Sequence, residues 1–321
     1  MRRDSAEYSG NLSSQIKTAV QRVLSTPVMA CKKLLGGKVN YVYRFETRDQ
    51  RFVAKVFKCG WPEEGKLPWI EQQLTKFSVP HAKLIHYSTR DPHFPHGFTI
   101  SEYVEGQNAL EAIVRGRLPI ETYYSQISNL LRQIHQIPTA QYGYIGHGPG
   151  GMYRSFIEHK LTHEVWEPLQ ELKSSVENDT YRRIEAKVMR QLDTFEPRFT
   201  PALIHADPVP KNALWTIDQQ LILIDWDEAI GGVWIADLAK LTYWQLYSNQ
   251  LAGFGSTMDR LRKIFLRSYG FCEFGLPEIL IIESALHLIY SVDLLAFWQR
   301  ERNLEAFNKT KDLLMSLLEA N

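Results

Sequence analysis

Ala202-Leu-Ile-His-Ala-Asp-Pro-Val-Pro-Lys-Asn-Ala-Leu-Trp215, followed by Leu221-Ile-Leu-Ile-Asp225, is the stretch that decides how this chain folds. An apolar strand carries His205 and Asp207 to a tight loop that ends at Asn212. Ala213 to Ile217 reads as a second strand and Asp218-Gln-Gln as its turn. Leu221 to Ile224 reads as the returning strand, which stops at Asp225. An antiparallel return sets the end of a hairpin beside its beginning, so Asn212 and Asp225 become neighbours. An amide oxygen next to a carboxylate, with the Asp207 carboxylate close by, suits a hard cation such as Mg²⁺.

The spacing is that of the protein-kinase pattern His-x-Asp-x-x-x-x-Asn followed by a metal-binding Asp, the layout of a phosphotransfer site. An Asp near an acceptor hydroxyl can orient it and take its proton. Asn and Asp can hold metal that neutralises charge on the β- and γ-phosphates. Singly, Asp207 and Asn212 also read as loop caps and Asp225 as the end of a strand. Together the four positions point to chemistry.

The remaining composition sets bounds. With 321 residues the chain has room for one large or two moderate domains, and a formal net charge of +1 predicts no nucleic-acid or membrane partner. Three scattered cysteines, Cys31, Cys59 and Cys272, form no CxxC pair and fit a reducing cytosol. Met1-Arg-Arg-Asp-Ser-Ala-Glu7 has no apolar core and is not read as a secretory signal. Ile279 to Trp298 comes nearest to a membrane span, but Glu283, His287 and Asp293 interrupt it, so a buried helix is expected.

Periodicity divides the chain unevenly. A helix is expected over 11–24, strands over 32–35, 41–47 and 51–58, a short helix over 68–77, and strands over 82–87 and 98–103. Beyond Leu110 the pattern is helical, over 121–136, 152–176, 178–194, 235–249, 256–269, 276–299 and 303–318, except for the hairpin. This predicts an α+β fold of two lobes: a nucleotide-binding lobe over 1–104 and a helical catalytic and substrate-binding lobe over 105–321.

Lys55 lies mid-strand in Arg51-Phe-Val-Ala-Lys-Val-Phe57 with apolar neighbours on both faces. Its ammonium therefore needs anionic partners, phosphate oxygens and a helix carboxylate, unless it snorkels from an edge strand. Glu71 is the first choice of partner, with Glu63 and Glu64 as competitors. Gly36-Gly37 forms a turn between strands whose N–H groups can cradle phosphates, although the motif is not a P-loop. Gly146-His-Gly-Pro-Gly-Gly151 reads as a loop, and His159 and His163 as surface or core histidines rather than ligands.

With these pieces assembled, the chain resembles the aminoglycoside phosphotransferase/choline kinase-like family over most of its length. The resemblance includes Ile100-Ser-Glu-Tyr-Val-Glu-Gly106, the helix end Leu131-Arg-Gln-Ile-His135, Ile224-Asp-Trp226 and Ala236-Asp-Leu-Ala239. It implies a bilobal protein-kinase-like fold, ATP and Mg²⁺. Asp207 would be the catalytic base, His205 the brace of its loop, and Asn212 and Asp225 the metal ligands. Lys55, paired with Glu71, would contact the α/β-phosphates. Gly36 and Gly37 would cover the phosphates, the backbone from Ser101 to Tyr103 would bind adenine, and Asp237 would support the loop. Ala206 departs from the glycine common in the family, and Pro208 from a bulky apolar residue.

The activity so implied is transfer of the ATP γ-phosphate to a hydroxyl of a small molecule by a cytoplasmic monomer or weak dimer. An aminoglycoside-type antibiotic is the first expectation for the acceptor. Choline-like amines, macrolides, sugars and amino-acid alcohols are alternatives. A polycationic acceptor would call for carboxylates in the helical lobe, for which Glu228, Glu158 and Glu164 are placed. A nucleotide-binding pseudokinase is the second class. A protein kinase is disfavoured because Asp225 is followed by Trp226-Asp227, with no Asp-Phe-Gly/Ala-Pro-Glu segment.

Overall fold

The computed structural model describes residues 4–34, 40–60, 62, 64–146, 148, 150–172, 179–248, 258–270 and 274–320. Helix α1 (Asp4–Leu24) is followed by strands β1 (Ala30–Lys33), β2 (Tyr41–Glu46) and β3 (Arg51–Val56), helix α2 (Lys66–Lys76), and strands β4 (Leu84–Ser88) and β5 (Phe98–Glu102). The five strands form one antiparallel sheet in the order β1-β2-β3-β5-β4. Alternation explains its outer face: Tyr43, Phe45, Phe52, Ala54, Val56, Phe98 and Ile100 are buried against Leu12, Ile16, Ala19 and Val20 of α1. Helix α1 starts well before the expected residue 11, because its added turns are polar and leave no apolar period to read.

The second lobe opens with β6 (Gly106–Asn108), α3 (Ala109–Val114), α4 (Ile120–Ile134) and β7 (Gly143–Tyr144). The helix expected over 152–176 is divided: α5 (Phe156–Leu161) runs into a π turn over Thr162–Trp166 and then α6 (Glu167–Glu171). Ser155 accepts from the Glu158 N–H and Glu196 from those of Phe156 and Ile157, which fixes the start of α5. Next come α7 (Thr180–Leu192), the strands β8 (Ala202–Ile204), β9 (Ala213–Thr216), β10 (Leu221–Leu223) and β11 (Ile230–Gly232), and helices α8 (Trp234–Tyr247), α9 (Met258–Tyr269), α10 (Leu276–Arg300) and α11 (Leu304–Glu319).

The helices share one large core, to which α2 contributes Ile70 and Leu74. Among the described residues α10 alone is long and apolar enough to cross a membrane. Its apolar window is 72% buried inside the protein, the surroundings of a core helix that is apolar on every side. The short strands β6, β7 and β11, each of two or three residues, carry no alternation that a sequence reading could detect.

Two small sheets fix the hairpin between the lobes. One has the order β10-β9-β6 and the other β7-β11-β8. Pairing of Leu221 with Trp215 and Leu223 with Ala213 gives the hairpin the expected register. Strand β6 leaves the sheet lobe and lies at once on β9, with Gly106 opposite Thr216. This approach requires glycine, because a Cβ at Gly106 would stand 2.6 Å from the Trp215 carbonyl oxygen. Gly106→Ala is therefore expected to lower unfolding free energy by about 1–3 kcal/mol in urea titration. Gly60→Ala, where a Cβ meets nothing within 4 Å, should stay within about 0.5 kcal/mol of wild type.

Candidate active site

The loop after β8 is held from beneath by α8. Asp237, fully buried in the first turns of α8, accepts the His205 N–H at 3.0 Å and the Ala206 N–H at 2.8 Å on its two oxygens. His135, at the end of α4, reaches the same carboxylate at 3.0 Å and is itself bonded to the Tyr269 hydroxyl at 2.8 Å. Ala206 adopts φ 65°, a left-handed conformation that disfavours a Cβ and accounts for glycine being common at this place in the family it resembles.

Burial lowers the pKa of His205, against the opposing charges of Asp237, Asp207 and Asp225, so the ring is neutral. A proton on Nε2 lets the ring donate to the Ile224 carbonyl at 3.2 Å, while Nδ1 accepts the Asp207 N–H at 3.4 Å. His205 thereby ties the two strands leading to Asp207 and Asp225.

Asp207 and Asn212 face each other. The Asn212 side-chain amide donates to Asp207 Oδ2 at 2.6 Å and to its backbone carbonyl at 3.0 Å, and Lys211 Nζ lies 3.2 Å from the same Oδ2. Asp207 Oδ1 accepts no hydrogen bond among the described residues. Burial acts to raise the Asp207 pKa, but Lys211 and Lys240 outweigh it and hold the carboxyl below its ordinary value. The Ile224 N–H bonds to the Asn212 carbonyl at 2.9 Å, which brings Asp225 beside Asn212 as the hairpin predicted. Asp225 itself adopts φ 69°, ψ 63°, and its side chain is half exposed.

The sheet lobe meets this floor through three side chains. Lys55 Nζ lies 2.5 Å from Asp225 Oδ1 and 2.7 Å from Asp227 Oδ2. Burial opposes its charge, but Asp227 and Asp225 outweigh burial and raise its pKa. Asn40 donates to Asp227 Oδ2 at 3.1 Å, and the fully buried Lys66, first residue of α2, donates to the Asp227 backbone carbonyl. Among the described residues Asp227 Oδ1 is buried without a hydrogen-bond partner. Sequence reasoning passed over Asp227, Asn40 and Lys66; the Asp-x-Asp spacing after the last strand was the available signal for the first.

The expected pairing of Lys55 with Glu71 is corrected. Glu71 accepts from the Leu84 N–H at 2.9 Å and meets His81 at 3.0 Å. The reason is helical geometry: five residues rotate Glu71 about 140° from Lys66, so when Lys66 faces the second lobe, Glu71 faces β4. Glu64 is exposed, and Glu63 lies outside the described residues. Gly36 and Gly37 also lie outside the described residues.

Cross-strand partners share a sheet face, so Ser101, opposite Val53, lies on the face that presents Lys55. The N–H groups of Glu102 and Tyr103 are engaged by Lys83 and Arg51 carbonyls, and the Tyr103 ring is flanked by the Arg44 and Arg51 guanidiniums at 5.6 and 5.1 Å.

On the other side of Asp207 the helical lobe gathers charge. Glu228, reached by solvent, is pushed up to about 7 by burial together with Asp293 and Asp207, against Lys66 and Lys240. Asp293 of α10 and Glu164 of the π turn complete the set around Lys240. Lys160 closes onto Glu164. Glu158 is elsewhere, lining a separate cavity of about 350 Å³ with Trp166, Tyr181 and Glu185. His159 is buried and pushed down to about 3 by desolvation, while His163 bonds Tyr153 and Glu167 at 2.7 and 2.8 Å.

Among the described residues no group of three His, Cys, Asp or Glu side chains is arranged to hold a metal. The hard oxygens of Asn212 and Asp225, the latter sharing Lys55 with Asp227, suit a cation whose shell is completed by phosphate and water.

A family model, the phosphotransferase enzyme family, matches residues 30–279. No curated protein matches the sequence. Among solved structures, aminoglycoside phosphotransferase APH(4)-Ia superposes with a TM-score of 0.72 at 15% identity, over 96% of this chain and 99% of that one. A thermostable mutant of that enzyme, in ternary complex with AMP-PNP and hygromycin B, gives 0.70 at 15% identity over 94% and 97%. Choline kinase LicA from Streptococcus pneumoniae gives 0.63 at 15% identity over 95% and 99%. At such identities the likeness establishes the fold, a bilobal α+β fold of the kinase-like kind.

Asp237→Ala removes the acceptor of two buried N–H groups and of His135. It is expected to cost about 3–5 kcal/mol in chemical denaturation, and Asp237→Asn less.

Proposed function

The chain belongs to the phosphotransferase enzyme family and is a phosphotransferase with a hydroxyl acceptor, and from that premise we propose that it moves the γ-phosphoryl group of ATP, with Mg²⁺, to an amine-bearing small molecule. The observation that carries this reading is Asp207, a carboxylate held ionised with Oδ2 fixed by Asn212 and Oδ1 open. An acceptor hydroxyl donates to Oδ1. As its oxygen bonds to the γ-phosphorus and the bond to ADP breaks, the hydroxyl proton passes to Asp207.

Asn212 and Asp225 would hold the cation through their oxygens, and Lys55, now on Asp225 and Asp227, has donors to offer the phosphates. Mg²⁺ when bound supplies neutralisation of β- and γ-phosphate charge. Ser101 lies on the nucleotide face of the sheet, with Tyr103 at its edge. The glycines Gly36 and Gly37 are assigned to the phosphates on sequence grounds alone, and Glu71 is assigned a place in the wall of the small lobe.

Glu228, Glu164 and Asp293 favour a cationic acceptor, of which an aminoglycoside-type aminocyclitol is the first choice and a choline-like amine the second. The cytosol, where ATP is plentiful, is the proposed compartment, and the working form a monomer or weak dimer.

A coupled ATP-consumption assay with aminoglycosides including hygromycin B, choline, macrolides, homoserine and sugars tests the proposal. Turnover of one class should fall about 10³-fold or more in Asp207→Asn; equal rates in the variant overturn the base assignment. Because Glu228 ionises near 7, an ammonium-bearing acceptor should bind less well as pH falls below that value. The acceptor KM should rise up to about tenfold per pH unit on that limb, and Glu228→Gln should give a high KM that no longer changes with pH.

A further inference from the structure

Lys240 stands three residues beyond Asp237 on α8, one helical turn from the carboxylate that grips the catalytic loop, and so beside that loop. Its Nζ lies 4.9 Å over the Tyr290 ring, whose hydroxyl is anchored on the Ala236 carbonyl at 3.0 Å. Four carboxylates from four separate elements act on its charge: Asp207 of the catalytic loop, Asp293 of α10, Glu164 of the π turn and Glu228 of the turn after Asp225. Among the described residues it forms an ion pair with none of them. The contrast with its neighbours is sharp, since Lys160 shares the Tyr290 ring at 5.7 Å yet closes onto Glu164, and Lys55 closes onto Asp225.

Lys160 already holds Glu164 and Lys211 reaches Oδ2 of Asp207, but the carboxylates of this cleft still attract ammonium groups, the open Oδ1 of Asp207 included. An ammonium docked on Asp207 is a dead end, because a protonated amine has no lone pair with which to attack phosphorus and it displaces the hydroxyl that has one. A fixed positive charge beside Asp207 removes that outcome without hindering a neutral hydroxyl. Asp207 is the carboxylate that acts most strongly on Lys240.

We propose that Lys240 is a specificity-determining residue that bars ammonium groups from Asp207, so that an amine-bearing acceptor presents a hydroxyl to the base and its ammonium groups to Glu228, Glu164 and Asp293. The inference rests on the phosphotransfer reading above and adds how the cleft chooses oxygen over nitrogen.

Spermidine, a linear polyamine without hydroxyls, is the probe, titrated calorimetrically into the full-length protein loaded with AMP-PNP and Mg²⁺. Lys240→Met should bind it about tenfold or more tightly than wild type, as loss of a nearby like charge predicts. Lys240→Arg should bind it as wild type does. In an Asp207→Asn background the Met substitution should change affinity by no more than about twofold, because the freed position no longer carries charge. No gain in Lys240→Met, or an equal gain with and without the Asp207 charge, overturns the proposal. Lys240→Gln serves as a second neutral variant should the Met protein fold poorly. The readout needs no turnover, so its failure is distinct from absence of Asp207-dependent phosphotransfer, which would instead sink the function proposed above.

Discussion

Everything at this site hangs from one buried carboxylate. Asp237 has no access to water, and its charge is tolerated because two backbone N–H groups and the His135 ring converge on it. Such a group is costly to bury and, once buried, costly to dislodge. That asymmetry makes it useful. The strand-to-loop junction at His205 and Ala206 has no strand pairing to hold it, and Ala206 sits in a backbone region that L-residues avoid. The Asp237 carboxylate supplies the restraint, and the neutral His205 ring carries it across to Ile224 and hence to Asp225. Asp207, Asn212 and Asp225 thus take their positions from a single anchor rather than from three independent ones.

The second organising point is Asp227, where parts of the sheet lobe converge. Asn40, Lys55 and Lys66 come from the start of β2, from β3 and from α2, and each bonds to this one residue. Burial raises its pKa while Lys55 works in the opposite sense, which keeps lysine and carboxylate mutually dependent. Asp225, two positions earlier on a left-handed backbone, shares the same lysine but keeps its other side open. One carboxylate joins the lobes, and its neighbour remains available.

The sequence revealed the parts whose spacing is itself the signal. The hairpin register, the meeting of Asn212 with Asp225, and the two-lobe order of strands before helices all follow from apolar alternation and turn residues, and the structure has them. What escaped was set by three dimensions. Glu71 reads as the partner of Lys55 because it is a carboxylate on the helix that follows, whereas the rotation of α2 around Lys66 sends it to β4. Lys240 and Asp293 are ordinary charged residues in sequence and acquire meaning only when α8 and α10 meet. The π turn at Thr162–Trp166 leaves an unbroken helical pattern in the sequence because an extra residue per turn shifts the register without breaking it.

The placement of α2 has a consequence for motion. Ile70 and Leu74 lie in the helical core, and His81, just beyond α2, bridges to Leu223 on the β9–β10 hairpin. The sheet and α1 have a separate core of their own. A rocking motion that keeps both cores intact must therefore leave α2 behind with the larger body and swing only the five strands and α1. The seam of such a hinge runs between α2 and β4, where Glu71 holds the Leu84 N–H, as well as through the chain connection that leads from β5 to Gly106. Opening and closing of the cleft would then be timed by how readily that seam slips, a property of the small lobe's flank.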